Sequence, residues 1–306
     1  MKKEKIHRSP LFYVGDKYKL VREIKTHFPT TINRFIEPFV GGGSVFLNIN
    51  ANEYLLNDID SYVIDIHKFL SSYIDKEEDF FNLIFSIIEK YNLSFSYKKD
   101  IVPLELKQQY KKTYFAQFNK QNFNQLKADY NNSKERNVAK LYVLLIYGFN
   151  RMLRFNSKNE YNLPVGNVDF NANVFNALSD YFNLNSTKKT NWCCQDFKQF
   201  LGSIEYQEND FIYLDPPYLI TFSEYNKLWN ENTEKDLLQT LDNLNEKGVK
   251  FAISNITHYK GKENSQFIDW SEKYNSYQIK SNYISYHDNT IKKFNEVLVT
   301  NYNKIR

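Results

Sequence analysis

Asp215-Pro216-Pro217-Tyr218 is the stretch of this chain with the clearest chemical content. It follows the apolar run Phe211-Ile212-Tyr213-Leu214, read as a buried strand. The two prolines stop that strand and lock φ, so the loop backbone is frozen. Such a loop holds one carboxylate, one carbonyl and one aromatic ring at the carboxyl edge of a sheet, where α/β proteins bind ligands. Those three groups suit the activation of a nucleobase amine. An adenine amine is a poor nucleophile because its lone pair is delocalised into the ring. Acceptors on both N–H bonds, Asp215 and the Pro216 carbonyl, would draw the nitrogen towards tetrahedral geometry while Tyr218 stacks on the base. A methyl group could then pass in line from a sulfonium to nitrogen, with proximity and charge placement as the main terms. No covalent intermediate is needed, which suits a chain with no cysteine near Asp215. A base inside a duplex is out of reach of this loop, so the target would be flipped out, with stacking offsetting part of the unstacking cost. The plain alternative is a helix-capping Asp215 followed by a proline turn.

A second constellation lies near the N-terminus. Phe35-Ile36-Glu37-Pro38-Phe39-Val40-Gly41-Gly42-Gly43-Ser44 reads as strand, glycine turn and helix start. Glycines let the backbone approach a ligand closely. Asp58 stands at the end of the next strand, where an acidic side chain can accept hydrogen bonds from both ribose hydroxyls of a nucleoside. Several nucleoside cofactors fit that geometry. The loop is neither a P-loop, lacking Gly-Lys-Ser/Thr, nor the GxGxxG dinucleotide pattern. An ordinary glycine turn remains the alternative.

The elements that must position these loops follow from the pattern. Glycine and proline number only nine and seven, against about 21 and 15 for average usage. Their clustering at Pro38 and Gly41–Gly43, at Pro164 and Gly166, and at Pro216-Pro217 therefore marks shaped loops. Strands are expected at Asn33–Phe39, Tyr54–Leu56, Trp192–Cys194, Phe211–Leu214, Val249–Ser254, Tyr277–Ile284 and Glu296–Asn301. Helices are expected from about Ser44, over Ile59–Tyr73 and over Thr233–Glu246, with a mostly helical middle over 79–147. Strands alternating with helices at both ends argue for a doubly wound α/β sheet, and the polar middle for an insertion. The expected division is a catalytic domain of residues 1–75 and 185–306, with a helical insertion of residues 76–184 carrying a hairpin at about 149–168.

Net charge is +4, and 17% of residues are aromatic. Basic residues concentrate before Lys25 and between Lys98 and Lys120, which could steer nucleic acid or be a solvated surface. The Phe, Tyr, Asn, Lys and Ile bias is what AT-rich codons supply, as in a low-GC bacterium or phage. The two cysteines, Cys193 and Cys194, are neighbours and offer neither a disulfide framework nor a zinc site. No apolar run approaches a membrane span, and no signal-peptide core precedes the sheet. The expectation is a metal-free cytoplasmic protein.

Taken together, these motifs resemble the Dam-type DNA adenine-N6 methyltransferases (D12 class, alpha order), over nearly the whole chain. Glu37-Pro38-Phe39-Val40-Gly41-Gly42-Gly43 is similar to the family's cofactor motif, Asn57-Asp58 to its ribose-binding acid, and Asp215-Pro216-Pro217-Tyr218 to its catalytic motif. Gln195-Asp196-Phe197 resembles the segment contacting the cofactor adenine, and Glu296–Tyr302 the last strand. Tyr13-Val14-Gly15-Asp16-Lys17 resembles Trp-x-Gly-Gly-Lys, with Asp16 as a departure. Residues 150–166 resemble the family's recognition hairpin, with Arg151 in place of the usual glycine and Asn167-Val168 in place of Arg-Tyr.

The resemblance implies a Rossmann-like S-adenosylmethionine-dependent methyltransferase sheet with an inserted target-recognition domain. It implies catalysis by Asp215, Pro216, Pro217 and Tyr218, and cofactor binding by Tyr13, Lys17, Glu37, Pro38, Phe39, Gly41, Gly43, Asp58, Asp196, Phe197 and Asp215. DNA recognition would fall to Phe149, Asn150, Arg151, Met152, Arg154, Asn156 and Pro164. Arg154 would read a guanine edge, and Phe149 or Met152 would wedge into the stack. The implied partner is double-stranded DNA, at GATC or a related short site, with a cognate restriction endonuclease as a functional partner and a monomer as the working form. Rival readings are a cytosine-N4 or RNA adenine methyltransferase of the same fold, a catalytically dead DNA-binding regulator, and a nicotinamide oxidoreductase. Asp215 in place of serine, a hairpin suited to a DNA major groove, retention of both Asp215 and Tyr218, and the wrong glycine spacing speak against them in turn.

Overall fold

The computed structural model describes residues 5–221, 229–279 and 296–303. The chain divides into two compact units: residues 1–16, 41–47 and 60–187, and residues 17–40, 48–59 and 188–306.

The second unit is built on a seven-stranded sheet. Its strands are β1 (Arg34–Glu37), β2 (Glu53–Asn57), β3 (Lys189–Cys193), β4 (Phe211–Leu214), β5 (Lys250–Ile256), β8 (Asn275–Ile279) and β9 (Glu296–Thr300). A separate two-residue ladder pairs β6 (His258–Tyr259) with β7 (Lys262–Glu263). The order is β3-β2-β1-β4-β5-β9-β8. The first five strands are parallel, and β9 runs antiparallel between β5 and β8. Parallel strands are covered on both faces and therefore read as apolar runs. Thus Phe211-Ile212-Tyr213-Leu214 is buried at every position. Strand β3 lies at the sheet edge and begins at Lys189, three residues before the apolar residues that announced it. An edge strand needs no second buried neighbour, so its polar Lys189-Thr190-Asn191 is tolerated. The strand expected at Tyr277–Ile284 is seen over Asn275–Ile279, and residues 280–284 fall outside the described residues.

This unit also contains α1 (Val21–Ile24), α9 (Phe197–Gly202), α10 (Glu231–Glu246) and α11 (Ser265–Ser271). Helix α10 starts at Asn230, whose side chain caps Thr233 N, and buries Leu237, Leu238, Leu241 and Leu244. Those leucines join Ile212, Leu214, Phe251 and Ile253 of the sheet in one core. Each is worth about 1.5–3 kcal/mol relative to an exposed side chain.

The first unit is helical: α2 (Ser44–Leu47), α3 (Ser61–Ser71), α4 (Glu77–Lys90), α5 (Leu104–Gln109), α6 (Tyr114–Asn131), α7 (Val138–Tyr147) and α8 (Ala172–Asn185). Helix α2 is a single turn. Helix α7 is apolar on nearly all sides, with Lys140 as its one charged residue, which requires packing on several sides. Residues Leu141–Tyr147 are accordingly buried, and α3, α4 and α6 pack against α7. Buried tyrosines need a partner for the hydroxyl. Tyr142 donates to Pro10 O at 3.0 Å, Tyr147 to Ser94 O at 2.6 Å and Tyr161 to Leu144 O at 3.1 Å. Among the described residues, no helix is long and apolar enough to cross a membrane.

Candidate active site

In the sheet unit, the chain leaves β1 towards β2 and β3, then returns to β4 and β5 on the other side. The sheet therefore has a topological switch point between β1 and β4, and ligands of open α/β sheets bind at the carboxyl ends of the strands there. Glu37 and Asn57 close β1 and β2, with Pro38 and Asp58 next in the chain, Gln195-Asp196 lies just past the carboxyl end of β3, and Asp215 directly follows β4. Asn57 ties three of these edges together. It is buried, its Nδ2 donates to Pro38 O and to Gln195 O, both at 3.0 Å, and its Oδ1 accepts from Gln195 N at 3.0 Å. Every polar atom of the side chain is thereby matched, as a buried amide requires.

Asp215 is pinned through one oxygen. Oδ1 accepts from Lys17 Nζ at 2.7 Å and from the Tyr218 hydroxyl at 3.0 Å. Among the described residues, Oδ2 makes no hydrogen bond. Lys17 is no surface lysine: its side chain is 3% exposed, and its Nζ lies 3.6 Å from Glu296 Oε1 and 5.0 Å from the centre of the Tyr218 ring. Burial pushes the Tyr218 hydroxyl well above its ordinary pKa, the Asp215 charge adds to the rise, and Lys17 opposes it.

Sequence reading missed Glu296. It is fully buried, and its Oε1 lies 3.2 Å from the Tyr218 hydroxyl, whose single proton is shared between Asp215 and Glu296. The topology explains its arrival: β9 is antiparallel to β5, and Glu296 pairs with Ile256, so β9 starts at the edge where the parallel strands end. Its signal was present, since an acidic residue opening the apolar run Val297-Leu298-Val299 is out of place unless it has work at that edge.

The remaining residues of this unit fall into two groups. Phe39 and Phe197 pack at 5.5 Å between ring centres, and Trp229 closes a trio at 5.7 and 5.9 Å. Trp229 was also not anticipated; it donates to the buried Glu234 at 3.2 Å. Asp196 caps α9 by accepting from Lys198 N at 2.9 Å. Glu37 is buried, Asp58 is half-buried, and the neighbouring Ile59 is 59% exposed, high for a large apolar side chain.

The glycine turn and the hairpin belong to the helical unit. His67 Nε2 lies 2.8 Å from Gly41 O. A carbonyl only accepts, so Nε2 carries the proton. Burial lowers the His67 pKa from 6.5 to about 4, so the ring is neutral at pH 7. Ser9 Oγ donates to Gly42 O. Asp16, the departure from the family motif, accepts from Ser44 Oγ at 3.0 Å and so braces the first residue of α2. A Cβ on Gly42 would stand 2.8 Å from Tyr13 Cβ, so Tyr13 requires glycine there.

In the segment read as a hairpin, isolated antiparallel bridges join Gly148 to Val165 and Phe155 to Tyr161. Asn156 builds its tip, accepting from Lys158 N and Glu160 N. Pro164 O accepts from Phe149 N at 2.9 Å, Phe149 is 47% exposed, and Met152 is half-buried. Arg154 is engaged within the hairpin, with Nε donating to Asn162 Oδ1 at 2.8 Å. Asn150 and Arg151 both have left-handed φ, 53° and 49°. Asparagine tolerates that region, whereas arginine is strained in it.

A family model for D12 class N6 adenine-specific DNA methyltransferases matches residues 13–285. The type II methyltransferase M.FokI of Planomicrobium okeanokoites is 36% identical, across 96% of this chain and 43% of its own length. The modification methylase StsI of Streptococcus sanguinis is 33% identical, across 98% of this chain and 43% of its own length. The DNA adenine methylase of Haemophilus influenzae is 31% identical, across 69% of this chain and 64% of its own. The chain thus spans less than half the length of the first two relatives. The family match runs from Tyr13 past Asp215-Pro216-Pro217-Tyr218, and the chain belongs to the D12 class N6 adenine-specific DNA methyltransferase family.

Proposed function

We propose that the chain transfers a methyl group from S-adenosylmethionine to the N6 amine of adenine in a short double-stranded DNA sequence, with the base flipped out and direct in-line transfer. The observation that carries this reading is the state of Asp215. Its Oδ1 is held by Lys17 and Tyr218, which leaves Oδ2 to accept one N6–H, while Pro216 O would accept the other. Asp215 Oδ1 and Glu296 Oε1, at 3.0 and 3.2 Å, share the single proton of the Tyr218 hydroxyl and hold it, which sets the plane in which its ring would stack on the base. An aromatic face and two fixed acceptors are what a flipped adenine needs.

The residues present fit a purine nucleoside donor. Asp58 offers a carboxylate for the ribose hydroxyls, the exposed Ile59 beside it offers apolar surface, and Phe39, Phe197 and Trp229 form an aromatic wall in the same unit. Lys17, Glu37, Pro38 and Asp196 are assigned to this function with them, as are Tyr13, Gly41 and Gly43 of the helical unit. S-adenosylmethionine would supply an electrophilic methyl group on sulfonium. The chain's own task is orientation, exclusion of water and drawing the amine lone pair out of the ring's conjugation, with Asp215 Oδ2 placed to take the proton that the methylated nitrogen gives up.

The helical unit would read DNA through Phe149, Asn150, Arg151, Met152, Arg154, Asn156 and Pro164. The names of the relatives, type II methyltransferase and modification methylase, support a part in restriction–modification with a cognate endonuclease. The test is expression in a host lacking adenine methylation, followed by sequencing that reports modified bases. N6-methyladenine confined to one short motif, and absent with Asp215→Ala, is the expected outcome. A soluble wild-type protein that leaves every adenine unmodified would overturn the proposal.

A further inference from the structure

Two guanidinium groups of the helical unit sit on a single aromatic ring. The Arg8 guanidinium carbon lies 4.6 Å from the centre of the Phe12 ring, and that of Arg151 lies 4.2 Å from it. Phe12 is itself 5% exposed and held at a left-handed φ of 50°. Arg8 is exposed and Arg151 half-buried. Arg151 Nε is buried and meets no hydrogen-bond acceptor among the described residues. Asp169, a carboxylate whose charge acts on Arg151, is fully buried and has both oxygens engaged by Ser96. Burial and the neighbouring Arg8 charge hold the Arg151 pKa down to about 10, so the pair repel one another. The hydroxyl of Tyr142, within range of the same guanidinium, is itself committed to Pro10 O.

A protein that places two like charges on one ring, one of them on a backbone conformation that disfavours its own side chain, has arranged a site for an anion. Backbone strain that persists is a pointer to function when, as here, it coincides with unmet polar capacity. We propose that Arg8 and Arg151, stacked on Phe12, form a clamp for one phosphodiester group of the DNA strand. The stacked guanidiniums present planar donors fixed in direction, the geometry suited to phosphate oxygens. Such a contact sets the register of the protein on the duplex and reads no base. This inference rests on the reading that the chain binds DNA, and it assigns Arg8 and Phe12 a part that the hairpin motif alone does not.

The test is binding of the full 306-residue chain to a fluorescent duplex, without cofactor, over roughly 50–200 mM salt. Arg151→Gly is the informative variant, because glycine is at ease at a φ of 49°. Arg8→Ala, at an exposed position, repeats the test without touching the hairpin. Each should reduce the slope of log affinity against log salt by about 0.9, so that affinity falls about 3.5-fold less across that range. The double variant should lose no more than that same slope of about 0.9, because the two cations share one phosphate, and should lose it equally for every duplex sequence. An unchanged slope in variants that still melt cooperatively overturns the clamp. So does a loss confined to one base pair, which would make the pair a reader of base edges. Failure of the wild-type chain to bind any duplex overturns the DNA-binding reading and the clamp with it.

Discussion

Burial of His67 should make the protein less stable as pH falls from about 6.5 to about 4. The folded ring resists a second proton, because burial lowers its pKa from 6.5 to about 4. The unfolded chain takes that proton up near its ordinary pKa of about 6.5. A group with a depressed folded pKa contributes stability above the unfolded value and loses it on acidification, and the loss stops once the folded form also protonates. At roughly 1.36 kcal/mol per pH unit, the interval amounts to about 3 kcal/mol. Other groups titrate in the same range, so the assay needs a reference. His67→Gln provides it: the amide nitrogen can still donate to Gly41 O, and the side chain does not titrate. Urea unfolding of both proteins at a series of pH values should give a stability difference that shifts by about 3 kcal/mol against the wild type between pH 7.5 and 4, with no further change below. A constant difference would refute the argument that His67 folds as a buried neutral imidazole.

Three further outcomes follow from the site. Gly43 has φ of +75°, and a Cβ there would stand 2.5 Å from Phe46 Cε1 and 3.0 Å from His67 Cε1, whereas one on Gly41 would meet nothing within 4 Å. Gly43→Ala should therefore cost about 2–4 kcal/mol in denaturant unfolding and Gly41→Ala only about 1; equal losses would show that the turn has room. Lys17→Met leaves Asp215 and the buried Glu296 without their shared ammonium, and should cost about 3–5 kcal/mol. A loss below about 1 kcal/mol would mean that the lysine is not the counter-charge. Arg154→Ala removes an exposed hairpin hydrogen bond, so thermal stability should move little, while methylation of duplexes altered at one position should lose about 1–3 kcal/mol of discrimination. Unchanged preference would take Arg154 out of the recognition set.

Much of the sheet was legible because burial on both faces leaves a local mark. Phe211–Leu214 and the apolar part of β5 could be read directly, as could the α10 leucines at helical spacing. The polar start of β3 could not, because an edge strand carries no such mark. Helix α2 stops after one turn, although the residues after Ser44 gave no local sign of so short an element.

The sequence by itself determined the chemistry on offer: a rigid Asp-Pro-Pro-Tyr loop after a buried strand, a glycine turn, an acid at Asp58, and family membership written in their order. These are properties of contiguous residues, where proline geometry and apolar runs act over a few positions. Only the tertiary structure decided which distant groups serve that loop. Lys17, Asp215, Tyr218 and Glu296 converge because the strand order brings β4 beside β5 and reverses β9 against β5. Asn57 joins three strand ends, and His67 reaches back to Gly41, by the same kind of long-range pairing. A buried charge or amide must find its partner wherever the fold supplies one, and that requirement leaves no trace in the spacing of the residues involved.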